Sequence, residues 1–136
     1  MSDIFLLDTS AWIPVLRINP LESLRKKVDQ LLKENSVAIM PIVKVELLGG
    51  TKNEIEFERL NERLSSLLSL DMNNEVWNKA SKLAYDLKRN GITVPYIDIM
   101  IAATAIHHNT TLLHLDKHFD MIASKSPLKL ESFSMK

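Results

Sequence analysis

Residues 94–116, VPYIDIMIAATAIHHNTTLLHLD, decide the fold class. The piece from about 96 to 108, YIDIMIAATAIHH, is apolar nearly all round, which predicts a helix enclosed by protein on every side. TLLHL at 111–115 follows almost at once and reads as a short buried strand. Two acids stand at the borders of this unit. Asp98 lies in the first turn of the helix, and Asp116 lies where the strand gives out.

Outward toward the N-terminus the same alternation repeats. Asn73 or Asn74 caps a helix whose inner face is Val76, Ala80, Leu83, Ala84 and Leu87, ended by Asn90-Gly91. SLDM (69–72) reads as a short strand. Residues 53–68 form a charged amphipathic helix with Ile55, Leu60, Leu64, Leu67 and Leu68 turned inward. VAIM (37–40) is a strand, and Pro41 opens a helix, IVKVELL, that stops at Gly49-Gly50. Before it, Asn19-Pro20 reads as an N-cap and first helical position. Leu21, Leu24, Val28, Leu31 and Leu32 then keep helical spacing up to Asn35-Ser36. Residues 3–8 form the first strand, ending in a polar turn, Asp8-Thr9-Ser10. On the C-terminal side, LKLESF (128–133) is a last strand. Strands alternating with helices give an α/β fold with a central, mostly parallel β-sheet flanked by helices. Its 136 residues make one domain, 1–136, with no repeat, linker or low-complexity tract.

The composition excludes several classes. Hydrophobic residues make up 46% and charged residues 25%, as in ordinary globular proteins. Without cysteine there is no disulfide framework, zinc finger or thiol nucleophile. The opening MSDIFLL lacks a basic n-region, so no signal peptide is expected. No apolar run approaches the roughly 20 residues of a membrane span. A cytoplasmic protein without membrane contact is expected. The formal charge is +0, which speaks against sequence-blind nucleic-acid binding through a uniformly basic surface.

Four acids occupy unusual places. Asp8 and Asp116 end apolar runs, while Glu46 and Asp98 sit among apolar neighbours in the helices that open at 41 and 96. Ionised carboxylates beside a core are costly unless paired or bound to a cation. In parallel sheets ligands bind beyond the carboxyl ends of the strands, and all four acids reach that edge. If they converge, the fitting occupant is a hard divalent cation, Mg²⁺ or Mn²⁺, and the fitting chemistry is phosphodiester hydrolysis. Each acid also has an ordinary reading. Asp8 and Asp116 suit turns or N-caps, and Asp98 suits a helix dipole. The joint pattern is what points to a site.

Ser10 stands close enough to Asp8 to touch a phosphate, though a turn hydroxyl is the plainer reading. Asp120, one turn past Asp116, reads as a solvated helix acid. His107, His108, His114 and His118 match no established zinc spacing, and are read as helix-end and strand residues outside the cation site. Trp12 and Trp77 are read as core or interface residues. Arg17, Lys44, Lys52 and Lys117 are near enough to the acid loops to hold a phosphate backbone, but are read mainly as solvated charges.

Order and context together resemble the PIN domain, and within it the VapC-type toxins of toxin–antitoxin pairs. LLDTSAWI is similar to the family's opening strand and first acid, PIVKVELLGG to its second acidic motif, and GITVPYIDIMIAATAIHHNTTLLHLDKHF to the stretch joining its third and fourth acids. The resemblance covers essentially the whole chain. It implies a PIN-like three-layer fold and a Mg²⁺- or Mn²⁺-dependent endoribonuclease. It also implies that Asp8, Glu46, Asp98 and Asp116 are the metal-binding, catalytic acids, with Ser10 near the substrate. A homodimer and a small cognate antitoxin filling the active-site groove are implied as well. The chain departs from the family at His114, where Thr is frequent, and at Lys117-His118, where an acid or Arg often follows the fourth acid.

Other readings fit less well. A receiver domain wants paired acids after the first strand, an Asp-nucleophile phosphatase wants Asp-x-Asp, and a P-loop protein wants more than Gly49, Gly50 and Gly91. A PIN nuclease of RNA processing without an antitoxin, and a catalytically silent PIN-fold binding module, remain as alternatives.

Overall fold

The computed structural model describes residues 3–16 and 21–133. Five strands, β1 (Phe5–Leu7), β2 (Val37–Ile39), β3 (Leu68–Ser69), β4 (Thr111–His114) and β5 (Lys129–Ser132), form one sheet in the order β3-β2-β1-β4-β5, every pair parallel. Seven helices are seen among the described residues: α1 (Thr9–Leu16), α2 (Glu22–Lys33), α3 (Pro41–Gly49), α4 (Glu54–Ser65), α5 (Asn74–Arg89), α6 (Tyr96–His107) and α7 (Lys117–Ala123). This is the α/β arrangement that the alternating pattern predicts, in the three-layer form that the family resemblance implies.

The register is set by burial. All three residues of β2 and the last three of β4 are buried, which requires cover on both faces of the sheet. Helix α6 buries Ile99 and the run Ile101–Ala105. Its alanines let it approach β4 on one side while α5 covers the other with Val76, Ala80, Leu83 and Leu87. Local signals end the elements where chain chemistry demands. Asn53 and Asn73 accept from Glu56 and Val76 amides as N-caps, and Gly91 takes φ 74°, a left-handed turn that suits glycine.

The strand order has a functional consequence. The chain runs outward from β1 to β2 and β3, then returns to the other side of β1 for β4 and β5. The point of reversal lies between β1 and β4, and crevices for ligands form at the carboxyl ends of such strands. Asp8 follows β1 and Asp116 follows β4, so both acids flank that point.

Several local expectations differ from the structure. The Asp8-Thr9-Ser10 segment does not remain a turn: it starts α1, which carries Pro14 in its interior. Ile55 is 65% exposed and Leu68 53% exposed, although the sequence reading turns both inward: the helix ends at Ser65, Leu68 belongs to β3, and Ile55 lies off the Leu60–Leu64 face. Helix α4 packs on α3 only along its Leu60–Leu64 side, and Ile55 faces a groove instead of the core. The N-cap reading of Asn19-Pro20, and Arg17, lie outside the described residues.

Candidate active site

Asp8 is the best-buried of the four acids, 6% exposed at the end of β1. Its carbonyl accepts from the Ala11 and Trp12 amides, and its Oδ2 accepts from the Ser10 amide at 3.0 Å. The side chain thus caps the start of α1, as the bland reading of Asp8 anticipates. Its own amide donates to the Leu113 carbonyl, which ties it to β4. Trp12 is 4% exposed and belongs to the core.

Asp98 enters from the first turn of α6, with its side chain only 14% exposed. Burial pushes its carboxyl above the ordinary value of 3.8. The hydrogen bond to His118 opposes this, and the nearby charges of Asp116 and Asp8 add to it. Three of the four sequence-selected acids therefore sense one another electrostatically.

Asp116 is the N-cap of α7, and its Oδ1 accepts from the His118 amide at 2.9 Å. Its own amide donates to His114 Nδ1 at 3.0 Å. His114 is wholly buried and packs edge-on to Phe119, with ring centroids 5.2 Å apart.

Glu46 stands apart. It occupies the second turn of α3 on an exposed face, and its Oε1 accepts from the Thr9 hydroxyl at 2.9 Å. That bond ties it to the residue directly after Asp8. Ser10, the proposed substrate contact, has a structural partner: its Oγ accepts from the Leu115 amide at 3.0 Å.

The compact group differs from the one sequence reasoning assembles. Asp98, Asp116 and His118 each place a donor atom within 4.8 Å of the others, and Asp8 and Glu46 are not part of that group. The sequence places His118 with the other histidines outside the cation site, yet its Nδ1 lies 3.0 Å from Asp98 Oδ2 and 3.2 Å from Asp116 Oδ1. The only hint in the sequence is its place two residues after an acid that caps a helix. The remaining histidines behave as expected. His107 and His108 end α6, with His107 Nδ1 2.9 Å from Lys79 Nζ. Asp120 is largely solvated, its Oδ1 3.7 Å from His114 Nε2, too long for a hydrogen bond.

The donor set suits a divalent cation. Two carboxylates converge at a partly buried place, one of them with its pKa raised by burial and by its acidic neighbours, and a cation would relieve that repulsion. Oxygen donors with one imidazole accommodate Mg²⁺ or Mn²⁺.

Beside Glu46 a groove of about 1320 Å³ opens, walled by Ile13 and Leu16 of α1, Leu47 of α3, and Ile55 and Leu60 of α4. Lys52, Arg59 and Arg63 stand along it. Lys44 instead donates to Ser65 Oγ at 2.7 Å. A smaller cavity of about 220 Å³, near Lys79, Lys82, Ile106 and Lys125, lies toward the C-terminal half of α6, away from Asp98. No helix among the described residues is long and apolar enough to cross a membrane.

Comparison with known proteins agrees with this fold. The PIN domain profile matches residues 5–125. Ribonuclease VapC11 of Mycobacterium tuberculosis is 32% identical over 132 residues, covering 94% of this chain and 98% of its own length. The crystal structure of VapBC2 from Rickettsia felis bound to a promoter DNA fragment superposes with a TM-score of 0.79 at 26% identity, covering 96% of this chain and 98% of that one. VapBC-1 from nontypeable Haemophilus influenzae gives a TM-score of 0.75 at 26% identity, with 95% and 97% covered.

Proposed function

We propose, on the premise that the chain belongs to the PIN domain family and has VapC ribonucleases as relatives, that it is a Mg²⁺- or Mn²⁺-dependent endoribonuclease and the toxin of a toxin–antitoxin pair. The observation that carries the reading is the meeting of the Asp98 and Asp116 carboxylates, with Asp8 beside them, at the reversal point of a parallel sheet.

Asp98 and Asp116 would hold the cation, and Asp8 would add negative charge from the end of β1. A bound divalent ion makes water a usable nucleophile near neutral pH and offsets charge at phosphorus. One of the acids at the site, Asp98 or Asp116, would orient the attacking water or take up the proton that it gives up. The water oxygen would bond to phosphorus as the bond to the 3′ oxygen breaks, and the leaving oxygen would take a proton from solvent water. The products are a 5′-phosphate and a 3′-hydroxyl. Ser10 and Thr9 hold the acids in place, and the Ser10 hydroxyl still has a hydrogen to offer a phosphate oxygen. Lys52, Arg59 and Arg63 supply positive charge along the groove for the RNA backbone.

The same groove is the proposed seat of the cognate antitoxin. Its volume exceeds the roughly 300–1,000 Å³ of small-molecule pockets. Its apolar wall of Ile13, Leu16, Ile55 and Leu60 suits a protein segment more than a nucleotide. The solved VapBC structures to which the chain is similar support a protein partner. The reading includes a homodimer. Trp77 and Tyr85, on one face of α5 and about half exposed at 49% and 54%, offer aromatic surface for such a contact. It also places the protein in the cytoplasm.

The deciding experiment is cleavage of RNA by the purified protein with Mg²⁺, with Mn²⁺ and with a chelator, alongside Asp8→Asn and Asp98→Asn. Cleavage is expected only with metal and only in the wild type. Cleavage that survives both chelation and both substitutions would overturn the reading.

A further inference from the structure

His118 is anchored at its root and directed at its tip. Its amide is bonded to the Asp116 carboxylate that caps α7, which fixes where the side chain starts. Its ring is one-third exposed, so the core does not account for its position. The ring nitrogen Nδ1 lies between two carboxylate oxygens, 3.0 Å from Asp98 Oδ2 and 3.2 Å from Asp116 Oδ1. A single N–H serves one acceptor well, yet here two anionic oxygens converge on the same atom.

Those separations have another meaning. Adjacent ligands on an octahedral cation, each about 2.1 Å from the ion, stand about 3 Å apart. His118 Nδ1 is therefore already spaced from each acid as a neighbour around one ion, and all three donors lie within 4.8 Å of one another. We propose that His118 is a nitrogen ligand of the cation site, with Nδ1 joining Asp98 and Asp116, and that it biases the site toward Mn²⁺ over Mg²⁺. This rests on the reading that Asp98 and Asp116 hold a cation. The bias follows from ligand chemistry. Mg²⁺ strongly favours oxygen, whereas transition cations gain from imidazole, and Mg²⁺ would lose little if the nitrogen were removed. His118 neighbours Lys117, whose charge would oppose a cation only weakly from the exposed side of the helix.

The test is direct binding of Mn²⁺ and of Mg²⁺ by titration calorimetry, with Mn²⁺ paramagnetic resonance as a second readout. The proteins are the wild type, His118→Ala, His118→Asn and Asp98→Asn. His118→Asn retains a hydrogen-bond donor but no imidazole. Both His118 variants are expected to weaken Mn²⁺ binding by about tenfold or more and Mg²⁺ binding by less than about threefold. Zn²⁺ titrated as a diamagnetic probe is expected to shift the His118 Nδ1 nitrogen resonance. Circular dichroism checks that the variants fold. Equal losses for both cations, no loss for either, or an unmoved Nδ1 resonance would overturn the assignment and leave His118 as a hydrogen-bond partner of the acids. Asp98→Asn separates the two levels of argument. If it binds Mn²⁺ like the wild type, the carboxylate site itself is wrong. If it loses Mn²⁺ while the His118 variants do not, only the His118 assignment fails.

Discussion

The Leu115 amide donates to the Ser10 hydroxyl at 3.0 Å, joining positions 105 residues apart in the chain. The bond ties the start of α1 to the turn between β4 and α7, and so holds the Asp8 and Asp116 ends of the two central strands together. Ser10→Ala leaves a partly buried amide without its acceptor. It is expected to cost about 1–2 kcal/mol in urea denaturation. Cleavage is expected to fall as well, because the spacing of Asp8 and Asp116 loosens. An unchanged stability would show that the hydroxyl matters to substrate alone.

Glu46 and Asp98 are expected to differ in importance. Asp98 belongs to the compact donor group, whereas Glu46 stands on an exposed face and holds Thr9. Asp98→Asn should lower single-turnover RNA cleavage by about 100-fold or more, and Glu46→Gln by about tenfold. Metal affinity should follow the same order. Equal losses would place Glu46 on the ion itself.

How far the sequence reaches is clear from particular residues. The α6–β4 unit is legible because a helix apolar all round and a following apolar strand leave few ways to bury both. Helix α1 is not legible. Asp8-Thr9-Ser10 carries turn chemistry, and Pro14 surrenders the amide that would reach the Ser10 carbonyl, so the tertiary contacts of Ala11 and Trp12 have to decide it. Ile55 stands five residues before Leu60 and nine before Leu64, off the three- and four-residue spacing of one helix face, so it turns away from the core side and faces a groove. Asp8, Asp98 and Asp116 are legible from their positions at element ends. His118 is not, since the residue that gives it meaning, Asp98, arrives from 20 residues away by way of α6.

His114 should make stability depend on pH. Its burial holds the imidazole below the ordinary 6.5, against the pull of Asp120, the Asp116 amide, and the Asp8 and Asp116 charges. The folded value lies under the unfolded one, so the unfolded chain takes up the proton first as pH falls. The stability tied to the neutral ring is complete above about 6.5 and is lost as pH falls through the folded value. Protonation would also place a hydrogen on the Nδ1 that accepts from Asp116. In chelator, denaturation midpoints are expected to fall between neutral and mildly acid pH, by up to about 1.4 kcal/mol per pH unit from this one proton. His114→Asn, which keeps an acceptor near the Asp116 amide, should flatten that slope. A slope equal to the wild type's would assign the pH dependence to other groups.

The groove offers a way to separate inhibition from catalysis. Ile55 is 65% exposed yet forms part of an apolar wall with Ile13, Leu16 and Leu60, and it lies on α4, which contributes none of the four acids. An antitoxin segment seated there would bury that side chain, and burying a charge in its place is costly. Ile55→Asp is therefore expected to weaken binding of a cognate antitoxin by about 100-fold, a loss that buried unpaired charge readily produces. Helix α4 itself should fold as before, because the Leu64 side of the helix still reaches the core. At saturating RNA, cleavage by the free protein should stay within about twofold of wild type, since the donor group of Asp98 and Asp116 is untouched, while affinity for RNA falls because the new charge stands among Lys52, Arg59 and Arg63. The combination should be toxic in cells even when the antitoxin is supplied. An antitoxin that binds Ile55→Asp as tightly as the wild type would place its seat elsewhere on the protein, whereas a parallel loss of cleavage would show that RNA uses the same wall.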